Sequence, residues 1–74
     1  MVTLSVNKQL LKSLIVKHDN TQDALAVAMG ISLSGLSAKI NGIKGREFKQ
    51  NEIYFIKTRY KLTDREVVDV FFAS

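Results

Sequence analysis

Residues 24–42, which read ALAVAMGISLSGLSAKING, decide the fold of this 74-residue chain. The stretch carries no charge before Lys39, is rich in alanine, serine and glycine, and is broken at its centre by Met29-Gly30-Ile31. Apolar residues recur at helical spacing on both sides of the break, as Leu36 and Ile40 do after it. The pattern therefore predicts two short helices joined by a tight bend, because glycine adopts the positive φ that such a bend requires.

The rest of the chain has the same helical periodicity, and no segment shows a sustained alternation of apolar and polar residues as a strand would. Thr21, Ser32 and Thr63 stand where N-caps are needed, and Asn41-Gly42 is a typical helix end. We therefore predict an all-α, five-helix domain that occupies residues 1–74. Its helices are expected at about 7–18, 22–29, 33–41, 49–61 and 64–72.

The second and third helices are expected to cross closely, because small residues line both of them. These residues are Ala24, Ala26, Ala28, Gly35 and Ala38. On a wheel of about 100° per residue, Leu33, Leu36 and Ile40 form the buried stripe of the third helix. Its outward face is then small, polar and free of acidic side chains, so it can enter a groove. Two such helices with a short connection predict a helix-turn-helix.

The positive charge of the chain is concentrated in two regions. The net charge is +4, from 11 basic and 7 acidic residues. Residues 1–18 carry Lys8, Lys12 and Lys17 without an acid, and residues 39–49 carry four bases against a single glutamate. This distribution favours a polyanionic partner. A solvated face that only aids solubility explains the charge equally well.

The composition argues against several other classes of protein. There is no cysteine, hence no disulfide or thiolate metal site. The single histidine, His18, lies at a predicted helix end, which favours a structural role for it. No nucleophile–base pair, metal-ligand set or phosphate loop is visible, so we expect no enzyme, cofactor, metal or small-molecule substrate. No apolar run approaches the roughly 20 residues of a membrane span, and we expect a soluble, cytoplasmic protein.

Several residues are spaced as in a known family of DNA-binding domains. They are Thr21-Gln22, Leu25-Ala26, Gly30, Leu36 and Asn41-Gly42. With these residues the chain resembles the lambda-repressor-like (Cro/C1 or XRE) helix-turn-helix domains. The chain is also similar to small phage regulators of Gram-positive hosts, so that the resemblance covers most of its length, through Lys39-Ile40-Asn41-Gly42, Phe48, Glu52-Ile53, Leu62-Thr63 and Phe71-Phe72. The resemblance implies a Cro-like transcriptional regulator or repressor. Such a protein binds a specific double-stranded DNA operator in a bacterial host cell. It fits a whole Cro-like protein or the DNA-binding half of a longer repressor.

The family resemblance also implies a role for each position around the third helix. It assigns base reading in the major groove to Ser32, Leu33, Ser34, Ser37 and Ala38, and contacts with the DNA backbone to Gln22, Lys39, Asn41, Gly42, Lys44, Arg46 and Lys49. Leu33 stands where many relatives have Gln or Arg, so it either touches a thymine methyl group or packs on the core. Lys39 stands where many relatives bury an apolar residue, and Ile40 is expected to take over that packing. Without a long polar side chain to read bases, specificity is expected to depend on DNA shape or bridging water.

The last predicted helix has more apolar residues than one face needs. Val67, Val70 and Phe71 fill a single stripe, whereas Val68 and Phe72 either extend the core or form a homodimer contact. A second class of function also stays open, namely a protein-interaction module of the antirepressor or antitoxin type. DNA binding is favoured because basic residues flank the third helix, whose outer face lacks the large apolar anchors of most protein interfaces.

Overall fold

The structure of the protein, a computed structural model, describes residues 6–72, apart from the side chain of Lys44. Over this range the chain forms α1 (Lys8–Asp19), α2 (Gln22–Met29), α3 (Leu33–Asn41), a short 3-10 turn (Ile43–Gly45), α4 (Gln50–Tyr60) and α5 (Asp64–Phe71). The described residues include no strand. The prediction of an all-α, five-helix domain is confirmed, and each predicted helix end lies within one residue of the observed one.

Three helices begin where the sequence places an N-cap. The side chains of Thr21, Ser32 and Thr63 each accept a hydrogen bond from the backbone N–H three residues later, at 3.1, 3.0 and 3.1 Å. Each bond satisfies one of the backbone donors that a helix start leaves without a partner. Glu66 completes a capping box at the third of these caps by accepting the Thr63 N–H at 3.0 Å. These caps confirm the predicted starts of α2, α3 and α5.

The connection between α2 and α3 is a sharp bend around Gly30. The chain changes direction by 106° between the two helices, over residues 30–32. Gly30 has a φ of 74°, and its N–H donates to the carbonyl groups of Ala26 and Val27. The N–H of Ile31 donates to the Ala26 carbonyl at 3.0 Å. This left-handed C-cap ends α2 and directs α3 steeply away from it.

The core draws on all five helices. Its most deeply buried side chains are Leu11, Ile15, Leu25, Leu36, Ile40, Ile56 and Val70, and Ala26, Tyr60, Leu62 and Phe71 complete it. Removing a side chain of this size from water is worth roughly 2 kcal/mol. The Asn7 N–H donates to the Val70 carbonyl at 2.7 Å, which ties the start of α1 to α5. The core therefore packs one face of α3 against other helices, among them α1 and α2, and leaves the first turn of its outer face exposed.

Two predictions about α3 are wrong. Leu33 was expected in the buried stripe, but 46% of it is exposed. Helical side chains point back towards the N-terminus, so a residue in the first turn extends past the helix end and has no preceding turn beside it. Gly35 was expected to allow a close approach of α2. A Cβ atom added there would instead meet the Ser32 Oγ at 3.0 Å and nothing from α2 within 4 Å. The N-cap, and not the helix crossing, is what crowds this position.

Within residues 6–72, no single helix has both the length and the apolar character needed to cross a bilayer. The pair α2 and α3 would meet that test together by length and composition alone, but the chain bends by 106° between them.

Candidate nucleic-acid interface

The predicted base-reading residues lie together on α3 and its N-cap. Ser32, Leu33 and Ser34 are exposed at the start of the helix, whereas Ser37 and Ala38, one turn later, are half-buried. No acidic residue occurs on α3. The first turn is therefore the most accessible part of this surface, and it presents two hydroxyl groups beside one apolar side chain.

Several polar atoms on this face already have partners within the chain. The Ser32 Oγ caps the helix and lies 3.4 Å from the Ser34 Oγ. The Asn41 Nδ2 donates to the Ser37 carbonyl at 2.9 Å and lies 3.3 Å from the Ser37 Oγ. These bonds hold the serine cap and the asparagine close to their own helix. The exposed Ser34 hydroxyl keeps hydrogen-bonding capacity beyond its contact with Ser32, and the exposed Leu33 side chain is free for apolar contact.

The Lys39 side chain points into the fold. The sequence predicted instead that it would contact the DNA backbone. Its Nζ lies 2.9 Å from the Glu52 Oε1 and 3.4 Å from the Glu47 carbonyl oxygen. The Lys39 and Glu52 side chains are only 13% and 15% exposed. Ile40 is fully buried, as expected if it provides the core packing that an apolar residue at position 39 would otherwise provide. The charge of Lys39 is thus neutralised within the fold by Glu52, and its ammonium group faces away from a phosphate partner.

The Glu52 carboxylate has a second role at the start of α4. Its Oε1 also accepts the backbone N–H of Lys49 at 2.7 Å, which caps the helix. Desolvation alone would raise the pKa of Glu52, but the hydrogen bonds from the Lys49 N–H and the Lys39 ammonium outweigh it, so the pKa lies below its ordinary value. Glu52 is therefore ionised at neutral pH and fixes α3, the following turn and α4 relative to one another.

The turn between α3 and α4 presents the remaining basic residues. Arg46 and Lys49 are exposed, and within residues 6–72 neither belongs to an ion pair. Gly42 has a φ of 65° and its backbone is open to solvent. The Lys44 side chain, another predicted backbone contact, lies outside the described part of the structure. An exposed Glu47 is the one acidic side chain in residues 39–49.

A cleft of about 620 Å³ lies beside the C-terminal end of α3. Its walls include four predicted backbone contacts, Lys39, Asn41, Gly42 and Arg46, together with Lys8, Glu47 and Phe72. The sequence placed Lys8 in a basic region but not in the site, because nothing in the spacing along the chain links it to Arg46. The hydrogen bond between α1 and α5 described above brings the start of α1 to this cleft. Lys8 is therefore a further candidate for contact with a polyanion.

The outlying predicted residues lie on other surfaces. Gln22 is the first residue of α2 and is half-buried. Val68 is 50% exposed and Phe72 42% exposed, whereas Val70 and Phe71 are buried. Val68 and Phe72 are thus partly exposed, and a homodimer contact through them stays a prediction. These two apolar side chains remain available for contact with another molecule.

A second polar cluster joins α1 to α4. The Arg59 guanidinium donates to the Asp19 carboxylate through its Nε at 3.2 Å and its Nη2 at 2.6 Å, and the Tyr60 hydroxyl donates to the same carboxylate. The hydrogen bond from Arg59 lowers the pKa of Asp19 despite its burial. His18 stacks on the Tyr60 ring with the centroids 4.6 Å apart. Among the residues that the structure describes, no three His, Cys, Asp or Glu side chains are grouped as metal ligands. The hydrogen bonds that Arg59 and Tyr60 donate to Asp19 link the end of α4 to the end of α1.

Comparison of the chain with protein-family models, curated proteins and solved structures finds no match.

Proposed function

We propose that the protein binds double-stranded DNA by inserting α3 into the major groove, and that it acts as a Cro-like transcriptional regulator. The observation that carries the proposal is the 106° bend between α2 and α3. Helices that meet at about 90–120° through a short, glycine-containing turn are typical of the DNA-binding helix-turn-helix. In that motif the second helix enters the major groove with its N-terminal residues towards the bases.

The surface of α3 is compatible with this role. Its outer face has only small side chains apart from Leu33 and Asn41, and Asn41 is folded back onto the helix. A face without bulk or negative charge can approach base edges in a groove that is about 12 Å wide. The exposed turn of α3 that would point into the groove includes Ser34, whose hydroxyl can donate to or accept from a base.

The distribution of charge supports the same partner. Arg46 and Lys49 follow α3 along the chain, and Lys8 lies with Arg46 around the cleft at the end of α3. Each of these side chains can neutralise one phosphate, and the release of condensed counterions then favours binding. Phosphate contacts of this kind set affinity and register, while contacts from α3 set sequence preference.

A protein partner is the second candidate function, and α4 carries the observation in its favour. Tyr54 is 68% exposed and Phe55 37% exposed, and both line a shallow, mostly apolar groove with Asn51, Thr58 and Arg59. Aromatic residues are enriched at protein interfaces. An antirepressor or antitoxin-like protein would use such a surface. We prefer DNA because the basic residues flank α3 rather than this groove.

The experiment that tests DNA binding is a titration of labelled 30-base-pair duplexes of random sequence, followed by fluorescence anisotropy at two salt concentrations. Affinity is expected to fall with salt, with a log–log slope of about −0.9 for each phosphate neutralised. Arg46→Ala is expected to weaken binding to all duplexes and to reduce the slope by about 1. Ser34→Ala is expected to change the preference among selected duplexes.

The matched control is Arg65→Ala, which removes the same charge from an exposed position on α5 and is expected to leave the affinity largely unchanged. Absence of binding to every duplex at the lowest salt concentration would refute the proposal. Binding that is insensitive to both Ser34→Ala and Arg46→Ala would show that α3 and the following turn are not the interface.

A further inference from the structure

Leu33 is the one large apolar side chain exposed on α3. It is 46% exposed and follows the N-cap Ser32, so it occupies the turn that the proposed function directs towards the bases. Leu36 and Ile40 on the same helix are fully buried. An exposed leucine at this position contributes little to the core, and it presents an apolar group where a reading helix meets base edges.

The polar groups around Leu33 are poorly suited to reading bases through paired hydrogen bonds. The Ser32 hydroxyl caps the helix, and the Asn41 amide donates to its own helix. Discrimination by paired hydrogen bonds uses long side chains such as Arg, Gln or Asn, which reach two atoms of one base edge. The exposed residues of the first turn are instead two serines and a leucine. Apolar contact by Leu33 is therefore a base-specific interaction that this turn can make beside the single hydrogen bond of an exposed serine.

Among the base edges in the major groove, thymine carries the apolar group, its C5-methyl. We infer that the preferred DNA has thymine opposite the first turn of α3 and that Leu33 recognises its methyl group. This inference rests on the proposed function, and it names the chemical feature that α3 reads. Serine hydroxyl groups on either side of Leu33 tolerate several bases, so the methyl contact would dominate the preference at that position.

The experiment uses the full chain and duplexes selected by it from a random pool. Each thymine in a selected duplex is replaced in turn by uracil, which removes the methyl group and leaves base pairing and the O4 acceptor unchanged. Burial of one methyl-sized group predicts a loss of affinity of about four-fold at the position that Leu33 contacts. Leu33→Ala is expected to weaken binding to the thymine duplex by a similar or larger factor and to abolish the difference between thymine and uracil.

A second substitution and a control keep the test specific. Leu33→Gln is expected to lose the sensitivity to uracil and to change the preferred base, because an amide can pair with adenine in the major groove. The control Val16→Ala removes an apolar side chain that is 61% exposed on α1, and it is expected to leave the uracil effect intact. Unchanged thermal melting of the Leu33 variants would confirm that the fold is retained.

The outcomes separate this inference from the proposed function. If the chain binds duplexes and Arg46→Ala weakens that binding, but no uracil substitution matters, the methyl contact is refuted and the DNA-binding proposal stands. The inference also fails if a uracil effect persists unchanged in Leu33→Ala. If no duplex is bound at all, both proposals fail, and Leu33 joins the apolar residues that could contact a protein.

Discussion

The Glu52 Oε1 lies 2.9 Å from the Lys39 Nζ and 2.7 Å from the backbone nitrogen of Lys49. One oxygen atom therefore links α3, the turn that follows it and the first turn of α4. This bridge fixes the basic turn relative to the proposed reading helix, so that Arg46 and Lys49 are presented from a defined position. It also explains how a lysine occupies a nearly buried position on α3.

The bridge leads to a first prediction, for Glu52→Gln. Glutamine keeps an oxygen that can cap α4, but it leaves the ammonium of Lys39 without a counter-charge at a site that is only 13% exposed. We expect the free energy of unfolding to fall by about 2 kcal/mol, because a charge that loses its partner away from water is costly. Urea denaturation at neutral pH measures the change.

A surface ion pair provides the control for this prediction. Arg65 and Asp69 are 86% and 51% exposed, and their closest charged atoms are 3.5 Å apart. Arg65→Ala is expected to cost less than about 0.5 kcal/mol. Adding Lys39→Met to Glu52→Gln should restore part of the stability, since it removes the unpaired charge. If Glu52→Gln were as mild as Arg65→Ala, the bridge would not hold α3 in place.

The link between Asp19 and Arg59 leads to a second prediction, on pH. The Asp19 side chain is 5% exposed, and its pKa is lowered chiefly by the hydrogen bond from Arg59. The unfolded chain therefore binds the proton more readily, and stability must decrease as the pH falls. The contribution of Asp19 is complete at neutral pH and is lost as the pH falls below the ordinary carboxyl value of about 4 towards the pKa in the folded state.

The variant Asp19→Asn checks this pH dependence. It is expected to lower the free energy of unfolding by about 2 kcal/mol at pH 7, because the hydrogen bonds to a charged acceptor are lost. The loss should shrink as the pH approaches 2, so that the stability curve is flatter than in the wild type. Glu52, whose pKa is also lowered, maintains part of the slope. Thermal melting at a series of pH values measures both curves, and parallel curves would contradict the assignment.

The parts of the fold that the sequence predicts depend on interactions between near neighbours. The Thr21 cap and the Gly30 stop involve residues at most four positions apart, so their pattern is visible in the sequence itself. The Lys39–Glu52 contact spans 13 positions, and nothing local indicates it. Leu33 is exposed because its side chain extends past the N-terminal end of α3, where no preceding turn covers it. Helical periodicity gives the face of a residue but not this effect of the helix end. The sequence therefore predicted which helix and turn the candidate interface residues occupy. It did not predict which of their polar atoms form hydrogen bonds within the chain.

The bend at Gly30 leads to a third prediction. Its φ of 74° is left-handed, and a Cβ added there would meet nothing within 4 Å, so the cost of Gly30→Ala is purely conformational. We expect a loss of about 1 kcal/mol. Gly30→Asn should recover part of it, because asparagine tolerates this region of φ. Thermal melting measures both variants. Equal stability of Gly30→Ala and the wild type would show that the bend does not require this φ.

The exposed side chains on and just after α5 lead to the last prediction, which concerns oligomeric state. Val68 and Phe72 are 50% and 42% exposed, and Phe72 lines the cleft that also includes Arg46. A second copy bound through these side chains would lie next to the proposed phosphate contacts, as expected for a dimer on half-sites about one helical turn apart. We therefore expect a concentration-dependent homodimer that DNA with two half-sites stabilises.

Sedimentation equilibrium, with and without a selected duplex, measures this association. Phe72→Ser is expected to weaken dimerisation and the cooperativity of DNA binding while leaving the affinity for a single half-site nearly unchanged. Val16→Ser, at a more exposed apolar position on α1, is the control and should leave the association unaffected. A chain that stays monomeric at high micromolar concentration, both free and on DNA, would show that Val68 and Phe72 do not form a self-contact. Because the contact proposed between Arg46 and a phosphate does not require a second copy of the chain, that result would leave the DNA-binding proposal for the monomer unchanged.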